Sequence, residues 1–328
     1  MPDNASPPPA PGPDCAALAN RLRKNARHLG RWARRHDVSC YRVYDRDVPE
    51  FPLAIDRYGE WVHAQRYAER WASVADDGAA DAARDAAEAA AIAAGLGTEP
   101  ARVVLKTRAR QRGSAQYAAT GAASEPMIVT EGGLRFEVNL GAYLDTGLFL
   151  DHRDTRALVR SRAAGRHVLN LFAYTGSFSV YAAAGGAARS LTVDMSRTYQ
   201  HWTRRNFLLN GIDFRRHALA CEDVLVFLAR AVAQRARFDL IVLDPPSFSN
   251  SKRMTGSFDV QRDHPLLLRQ CLALLAPDGE LYFSNNRRGF RLDPALESEA
   301  CVEEITARTV PEDFRRHRPH RCWHVRKD

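Results

Sequence analysis

From about residue 165 onward, short apolar runs alternate with segments in which apolar residues recur at helical spacing. The pattern predicts strands at 167–172, 190–195, 216–220, 238–244, 279–284, 303–310 and 321–326. Helices are predicted between the first six, at 177–184, 196–209, 222–233, 260–275 and 293–300. Another, from Asp151 to Ala164, precedes them and is closed by Gly165. Ser196 opens a helix that Asn210-Gly211 stops, and Asp293-Pro294 pairs an N-cap with a proline at the first helical position. Repeated βα units predict an α/β domain with a doubly wound parallel sheet. The last two strands, joined without a helix, are expected to form an antiparallel edge pair.

Upstream the pattern differs. Asp14 to Arg35 reads as an amphipathic helix, with Leu18, Leu22, Leu29 and Ala33 on one side. Arg21, Arg23, Lys24, Arg27, Arg31, Arg34 and Arg35 take much of the rest, which is either a solvated face or a phosphate-binding one. Strands are predicted at 40–44, 53–58 and 61–65, followed by an Ala-rich helix from Ala79 to Ala94 closed by Gly95. If the strand at Val103-Val104-Leu105 persists, its period of two puts Lys106, Arg108, Arg110 and Arg112 on one face. Such a row matches a nucleic-acid backbone, although a solvated edge strand would read the same. Met127 to Leu140 reads as a hairpin about Glu131-Gly132-Gly133. The expected division is a disordered Pro-rich tail at 1–14, a basic α+β module at 15–140 and the α/β domain at 141–328.

Composition sharpens this only in part. The 328 residues carry a formal net charge of +8, which makes a polyanion a plausible partner. Six scattered cysteines without a Cys-x-x-Cys pair suit neither a zinc site nor a disulfide framework, so reduced thiols and no bound metal are expected. No run approaches the roughly 20 apolar residues a membrane span needs, and no apolar signal segment opens the chain. A cytoplasmic protein is expected.

The turns after the strands could carry chemistry. The first is Leu169-Asn170-Leu171-Phe172-Ala173-Tyr174-Thr175-Gly176-Ser177-Phe178. Its single Gly176 cannot make the three-glycine pyrophosphate turn, so NAD or FAD is disfavoured. The second strand ends at Val193-Asp194, with Met195 and Ser196 following; an acid there could accept bonds from both hydroxyls of a ribose, or simply support the next helix. The third leads to Cys221-Glu222-Asp223, whose carboxylate could hold an adenine amino group. The fourth ends in Asp244-Pro245-Pro246-Ser247-Phe248, where two prolines stop the strand and present the acid from a stiff turn.

In this order the turns resemble those of class I S-adenosylmethionine-dependent RNA methyltransferases. The chain is most similar to the guanine-N7 half of the bacterial fused 23S rRNA methyltransferases. The resemblance rests on Arg21-Leu22-Arg23-Lys24-Asn25, Cys40-Tyr41-Arg42, Leu105-Lys106-Thr107-Arg108, the run from Tyr143 to Arg153, Thr192 to Tyr199, Asp244 to Met254 with Ser257 to His264, and Ser284 to Arg291. It implies a Rossmann-like sheet of seven mostly parallel strands beside a smaller N-terminal RNA-binding module. It also implies S-adenosylmethionine as cofactor and 23S rRNA or a large-subunit precursor as partner. Cofactor contacts would come from Asn170, Phe172, Ala173, Tyr174, Thr175, Gly176, Asp194, Met195, Ser196, Asp223 and Asp244. Asp151 and Arg153, by charge complementarity, could meet the ammonium and carboxylate of the methionine part. Arg21, Lys24, Arg27, Arg31, Lys106, Arg108, Arg110, Arg112, Lys252, Arg253 and Arg287 would face RNA.

The residues also bear on which atom is methylated. C5 methylation of cytosine needs a cysteine nucleophile after the fourth or fifth strand, and Asp244 to Ser247 and Ser284 to Asn286 contain none. Cys221 and Cys271 are expected in core packing. Guanine N7 carries an in-plane lone pair, so catalysis reduces to holding it in line with the methyl group. Its edge offers the acceptors N7 and O6, which donors such as Asn285, Asn286, Lys252 or Arg287 could meet. Asp244 would stabilise the positive charge passing to the ring. Phe248 and Phe290 could stack on a flipped base or lie in the core. Methylation of an exocyclic amino group, or a noncatalytic RNA-binding role on the same fold, are the alternatives.

Overall fold

The computed structural model describes residues 15–67, 78–108, 125–143, 145–250 and 256–327, and the chain falls into two units. One unit comprises the described residues of 1–32 and 42–110, the other those of 33–41 and 111–328. The expected tail at 1–14 and the cations Arg110, Arg112, Lys252 and Arg253 lie outside the described residues.

In chain order the first elements are α1 (Ala16–Arg35), β1 (Cys40–Asp45), β2 (Leu53–Tyr58), β3 (Trp61–Tyr67), α2 (Gly78–Leu96) and β4 (Val103–Arg108). The four strands form one sheet in the order β1-β2-β3-β4. A tight turn at Gly59 joins β2 and β3 as a hairpin, whereas β3 and β4 are parallel and α2 makes the crossover between them. α1 buries Leu18 and Leu22, as its apolar stripe dictates. α2 does not close at Gly95 but runs on to Leu96. Gly95 is a contact point: a Cβ there would sit 2.8 Å from Leu22 Cβ, so its bare backbone lets the two helices approach.

The hairpin β5 (Met127–Glu131) and β6 (Leu134–Val138) belongs to the second unit, not to the basic module ending at 140 that the pattern suggested. The next elements are α3 (Arg153–Arg162), β7 (His167–Leu171), α4 (Ser177–Ala184), β8 (Arg189–Val193), α5 (Arg197–Leu209), β9 (His217–Ala220), α6 (Val224–Ala233) and β10 (Phe238–Leu243). The short pair β11 (Phe248–Ser249) and β12 (Phe258–Asp259) follows, then α7 (Val260–Leu274), β13 (Leu275–Asn285), β14 (Cys301–Glu304), α8 (Thr306–Thr309) and β15 (Arg321–Arg326). Polar anchors that alternation cannot reveal hold the hairpin here. Trp202 of α5 donates to the Glu137 carbonyl at 3.0 Å, and Asn206 accepts from the Glu137 amide at 2.9 Å. The fully buried Glu131 carboxylate pairs with Arg156 and Arg153 of α3.

Seven strands form the main sheet in the order β14-β15-β13-β10-β7-β8-β9. β9, β8, β7, β10 and β13 pair in parallel, and β15 runs antiparallel to both β13 and β14. The α/β class and the antiparallel edge follow the pattern. Two details do not: the expected strand at 303–310 stops at Glu304, where Thr306–Thr309 turns helical and Pro311 has no N–H to continue a ladder. The expected helix at 293–300 is one 3-10 turn, Pro294–Ser298, capped by Asp293. Each sheet face is covered by apolar residues, Leu171, Ile241, Leu243, Leu268 and Phe283 on one and Val168, Leu240, Val242, Phe178 and Ala182 on the other. Burial on both faces explains why these strands read as near-continuous apolar runs.

Candidate active site

The sheet's order reverses between β7 and β10, which lie side by side with Leu171 opposite Leu243. Open α/β sheets bind ligands at the carboxyl ends of strands at such a point. Two turns meet there: residues 172–176 leaving β7 and residues 244–247 leaving β10.

The β7 turn is tightly wound. Phe172, Tyr174 and Gly176 all have positive φ, at 54°, 52° and 74°. A Cβ on Gly176 would lie 2.3 Å from Thr203 Cγ2, so α5 packs directly on the turn. Three side chains fix its carbonyls and hydroxyl: Thr175 Oγ1 donates to the Gly147 carbonyl at 2.6 Å, Asn206 to the Thr175 carbonyl at 2.9 Å and Thr203 to the Tyr174 carbonyl at 3.3 Å. Ala173 is buried, while Tyr174 packs between Phe149 at 4.9 Å and Tyr199 at 4.6 Å between ring centroids.

Asp194 follows β8 on the neighbouring side of this turn. Its Oδ2 accepts from the Tyr174 amide at 2.9 Å and its Oδ1 from the Ser196 amide at 2.8 Å. The carboxylate thus splints two loops, and among the described residues no cation pairs with it in a site where burial pushes its carboxyl up to about 6. Each oxygen keeps acceptor capacity, so an oriented anion beside a bare glycine turn suits a ligand that brings hydroxyl donors. These residues fit the adenosine part of S-adenosylmethionine. Ser196 caps α5 by accepting from Tyr199, and half-buried Met195 follows the acid. Asp223 caps α6, its Oδ1 accepting from Leu225 at 2.8 Å.

On the other side, Asp244 is held from behind. Ser284 Oγ donates to its Oδ1 at 2.7 Å, and His152 Nε2 lies 3.5 Å from its Oδ2. Pro245 is buried and Pro246 half-buried, so the turn is braced. Ser247 donates to Asn286 Oδ1 at 2.7 Å, tying the β10 turn to the β13 turn. Asn285 is 2% exposed; its Oδ1 accepts from the Arg287 amide, which fixes the amide's orientation, and among the described residues its buried Nδ2 has no hydrogen-bond partner. A buried donor left unmade costs about 1–3 kcal/mol and fits a site completed by a ligand acceptor.

Several expected site residues do not converge on these turns. Arg153 spends its guanidinium on Glu131, Asp313 and the Cys40 carbonyl, so it is a buried strut rather than a carboxylate clamp. Asp151 bonds His320 Nδ1 at 3.0 Å. Asn170 is buried on β7 and donates to Ser179 at 3.0 Å, beneath the turn. Arg287 pairs with Asp259, the cap of α7. Arg21 pairs with Asp47, whereas Lys24, Arg27 and Arg31 lie exposed on α1. Lys106 is half-buried and Arg108 ends β4. Phe290 is 3% exposed within a cluster of Phe283, Trp323 and His264, and Phe248 is 48% exposed on β11. Cys271 is buried as expected, but Cys221 is exposed and donates to the Met195 carbonyl.

The pattern missed His152, Ser284 and His320. Asp151, His152 and His320 place three ligand-type atoms within 4.8 Å of one another, but the imidazoles lie face to face, 4.2 Å apart at 17°, rather than converging on a common point. A sequence signal existed for His152, inside the run from Tyr143 to Arg153, and for Ser284, which opens the run to Arg291. Nothing local marks His320, which the chain brings back from far downstream.

Comparison with known proteins accords with this geometry. A family model described as S-adenosylmethionine-dependent methyltransferase matches residues 79–319. The ribosomal RNA large subunit methyltransferase K of Neisseria meningitidis is 51% identical over 96% of this chain and 88% of its own length. The ribosomal RNA large subunit methyltransferase K/L of Methylococcus capsulatus is 53% identical over 96% of this chain, which spans only 43% of that longer protein. Among solved structures, a methyltransferase complexed with SAH matches with a TM-score of 0.74 at 25% identity, covering 94% of this chain and 81% of that one.

Proposed function

The chain belongs to the S-adenosylmethionine-dependent methyltransferases, in the family of large-subunit ribosomal RNA methyltransferase K, and from that premise we propose that it methylates N7 of a guanine in 23S rRNA. S-adenosylmethionine supplies the methyl group when bound. Gly176 and its turn would seat it, with Asp194 taking the ribose and Asp223 lying near the adenine.

The observation that carries the N7 reading is the state of Asp244. Its carboxylate is oriented by Ser284 and faces His152 at the mouth of the β7–β10 crevice. An oriented anion there stabilises positive charge arriving on a purine ring, which N7 methylation creates and which requires no proton to leave. The cysteine-free turns argue against the C5 route. Asn285 Nδ2 offers a donor for O6 of the same guanine edge. Exposed Phe248 offers a stacking face for a base drawn out of its helix.

Lys24, Arg27 and Arg31 of α1, with Lys106 and the cations after it, would hold RNA phosphates. A cytoplasmic location follows from an rRNA substrate; among the described residues no helix is long and apolar enough to cross a membrane. The test is product mapping. Undermodified large-subunit rRNA incubated with enzyme and cofactor should become cleavable at one guanosine after borohydride and aniline. Methyl incorporation without that cleavage would place the product on an amino group instead.

A further inference from the structure

We infer that His152 is a positioning residue for methyl transfer, holding the Asp244 carboxylate from the side away from the base and itself aligned by a buried imidazole stack. The inference rests on the reading of Asp244 as the turn that faces the target base.

His152 ends a 3-10 turn and occupies the N-cap position of α3 without a side-chain cap bond, with 5% of its surface exposed. Its Nε2 lies 3.5 Å from Asp244 Oδ2, while Ser284 holds Oδ1 at 2.7 Å. A separation of 3.5 Å is longer than a closed hydrogen bond, and such catalytic contacts tighten when a ligand fills the site. The ring has little room to leave. One face stacks on His320 at 4.2 Å, and Phe178 meets the ring edge-on at 5.7 Å. His320 is pinned in turn: Nδ1 lies 3.0 Å from Asp151 Oδ2 and Nε2 lies 3.3 Å from Thr309 Oγ1.

Among the described residues, buried Nδ1 of His152 has no hydrogen-bond partner. The gain that offsets this cost lies at Nε2, whose neighbour is a carboxylate, so the proton is assigned to Nε2 and the lone pair to Nδ1. Burial, aided by His320 and Arg156, keeps the ring neutral against the pull of Asp244 and Asp151. A neutral donor orients Asp244 without cancelling its charge. An imidazolium would cancel the negative potential that a developing guanine cation requires.

The test compares His152→Gln, whose amide nitrogen reaches the Nε2 position, with His152→Asn, which reaches only Nδ1, and with His152→Leu. On undermodified large-subunit rRNA, His152→Asn and His152→Leu should lower kcat on the order of 10- to 100-fold, the range for losing a hydrogen bond to a charged group. The KM for RNA and the Kd for S-adenosylmethionine should stay unchanged, and His152→Gln should recover most of the rate. In an Asp244→Asn background the same substitutions should have no further effect. Wild-type kcat in His152→Asn, or losses that multiply in the double variants, would overturn the inference. Full activity of Asp244→Asn alone would overturn the reading of the turn, and this inference with it. Should His152→Leu fail to fold, the Gln and Asn pair still decides.

Discussion

Arg156 and Glu131 meet at 2.6 Å with neither side chain exposed to solvent, and this pair fastens the β5–β6 hairpin to α3. The same carboxylate accepts from Arg153 at 3.0 Å and from Tyr181 at 3.0 Å. Removing it would leave the buried Arg156 guanidinium without its acid, while Arg153 would keep Asp313. Glu131→Ala is expected to cost about 3–5 kcal/mol, the usual penalty for breaking a buried pair from one side. Urea unfolding followed by circular dichroism checks this, and a loss under about 1 kcal/mol would mean that water reaches the cluster.

Gly176→Ala should impair cofactor binding more than folding. The new methyl group would meet Thr203 at 2.3 Å in a backbone region that alanine disfavours. The turn must then shift, with a strain on the order of 1–3 kcal/mol. Calorimetric titration should show S-adenosylmethionine affinity reduced roughly 10- to 100-fold. Pairing the change with Thr203→Ser, which removes the opposing methyl, should restore part of it.

Asp194, in its proposed role as the ribose acid, should make cofactor affinity depend on pH. Its carboxyl is pushed up to about 6 by burial, and ribose hydroxyls donate best to the ionised form. Binding should therefore be at full strength well above that value and weaken as pH falls through it, approaching tenfold per pH unit. Near the midpoint, binding should release a proton, visible as a buffer-dependent heat. Asp194→Asn should bind weakly at all pH values and lose the dependence. An unchanged profile in that variant would assign the pH effect to another group.

Phe248 and Phe290 should separate cleanly. Phe290→Ala opens a cavity in the aromatic cluster and is expected to cost about 3–5 kcal/mol of stability. Phe248→Ala removes an exposed ring and should leave the melting temperature near wild type. Its effect should appear in RNA turnover, at about 1–3 kcal/mol if a base stacks on it. Unaltered kinetics on rRNA would remove Phe248 from the site.

The exposed cations of α1 should register in the salt dependence of RNA binding. Replacing Lys24, Arg27 and Arg31 together by alanine is expected to flatten the slope of log affinity against log salt by about 2, from roughly 0.7 per single-strand phosphate contact. Cofactor affinity should not change. A slope equal to wild type would mean that this face meets only water.

Legibility in the sequence followed the reach of each interaction. β7, β8 and β10 could be read because their burial leaves uninterrupted apolar runs, and the caps at Ser196 and Asp293 because capping chemistry is local. Gly176, Asp194 and Asp244 were visible as strand-end residues in the right order. Spacing gives no hint of the partners of Arg153 and Asn170, because Glu131 and Ser179 reach them only through folding. The same holds for the hairpin at 127–138, whose anchors, Trp202 and Asn206, lie on a distant helix. His320 meets Asp151 across 169 residues, a separation no local pattern spans.

The pairing of β7 with β10 acts as a gauge for the reaction. Leu240 to Leu243 run beside Val168 to Leu171, so the turns that would carry methyl donor and acceptor extend from one shared ladder. A slip of one residue would displace one turn past the other by about 3.3 Å and swing Asp244 to the opposite face of the sheet. Close packing of differently sized apolar side chains on the two faces opposes that slip. The span the methyl group must cross is therefore set by core packing, and selection on those buried residues is also selection on catalytic alignment.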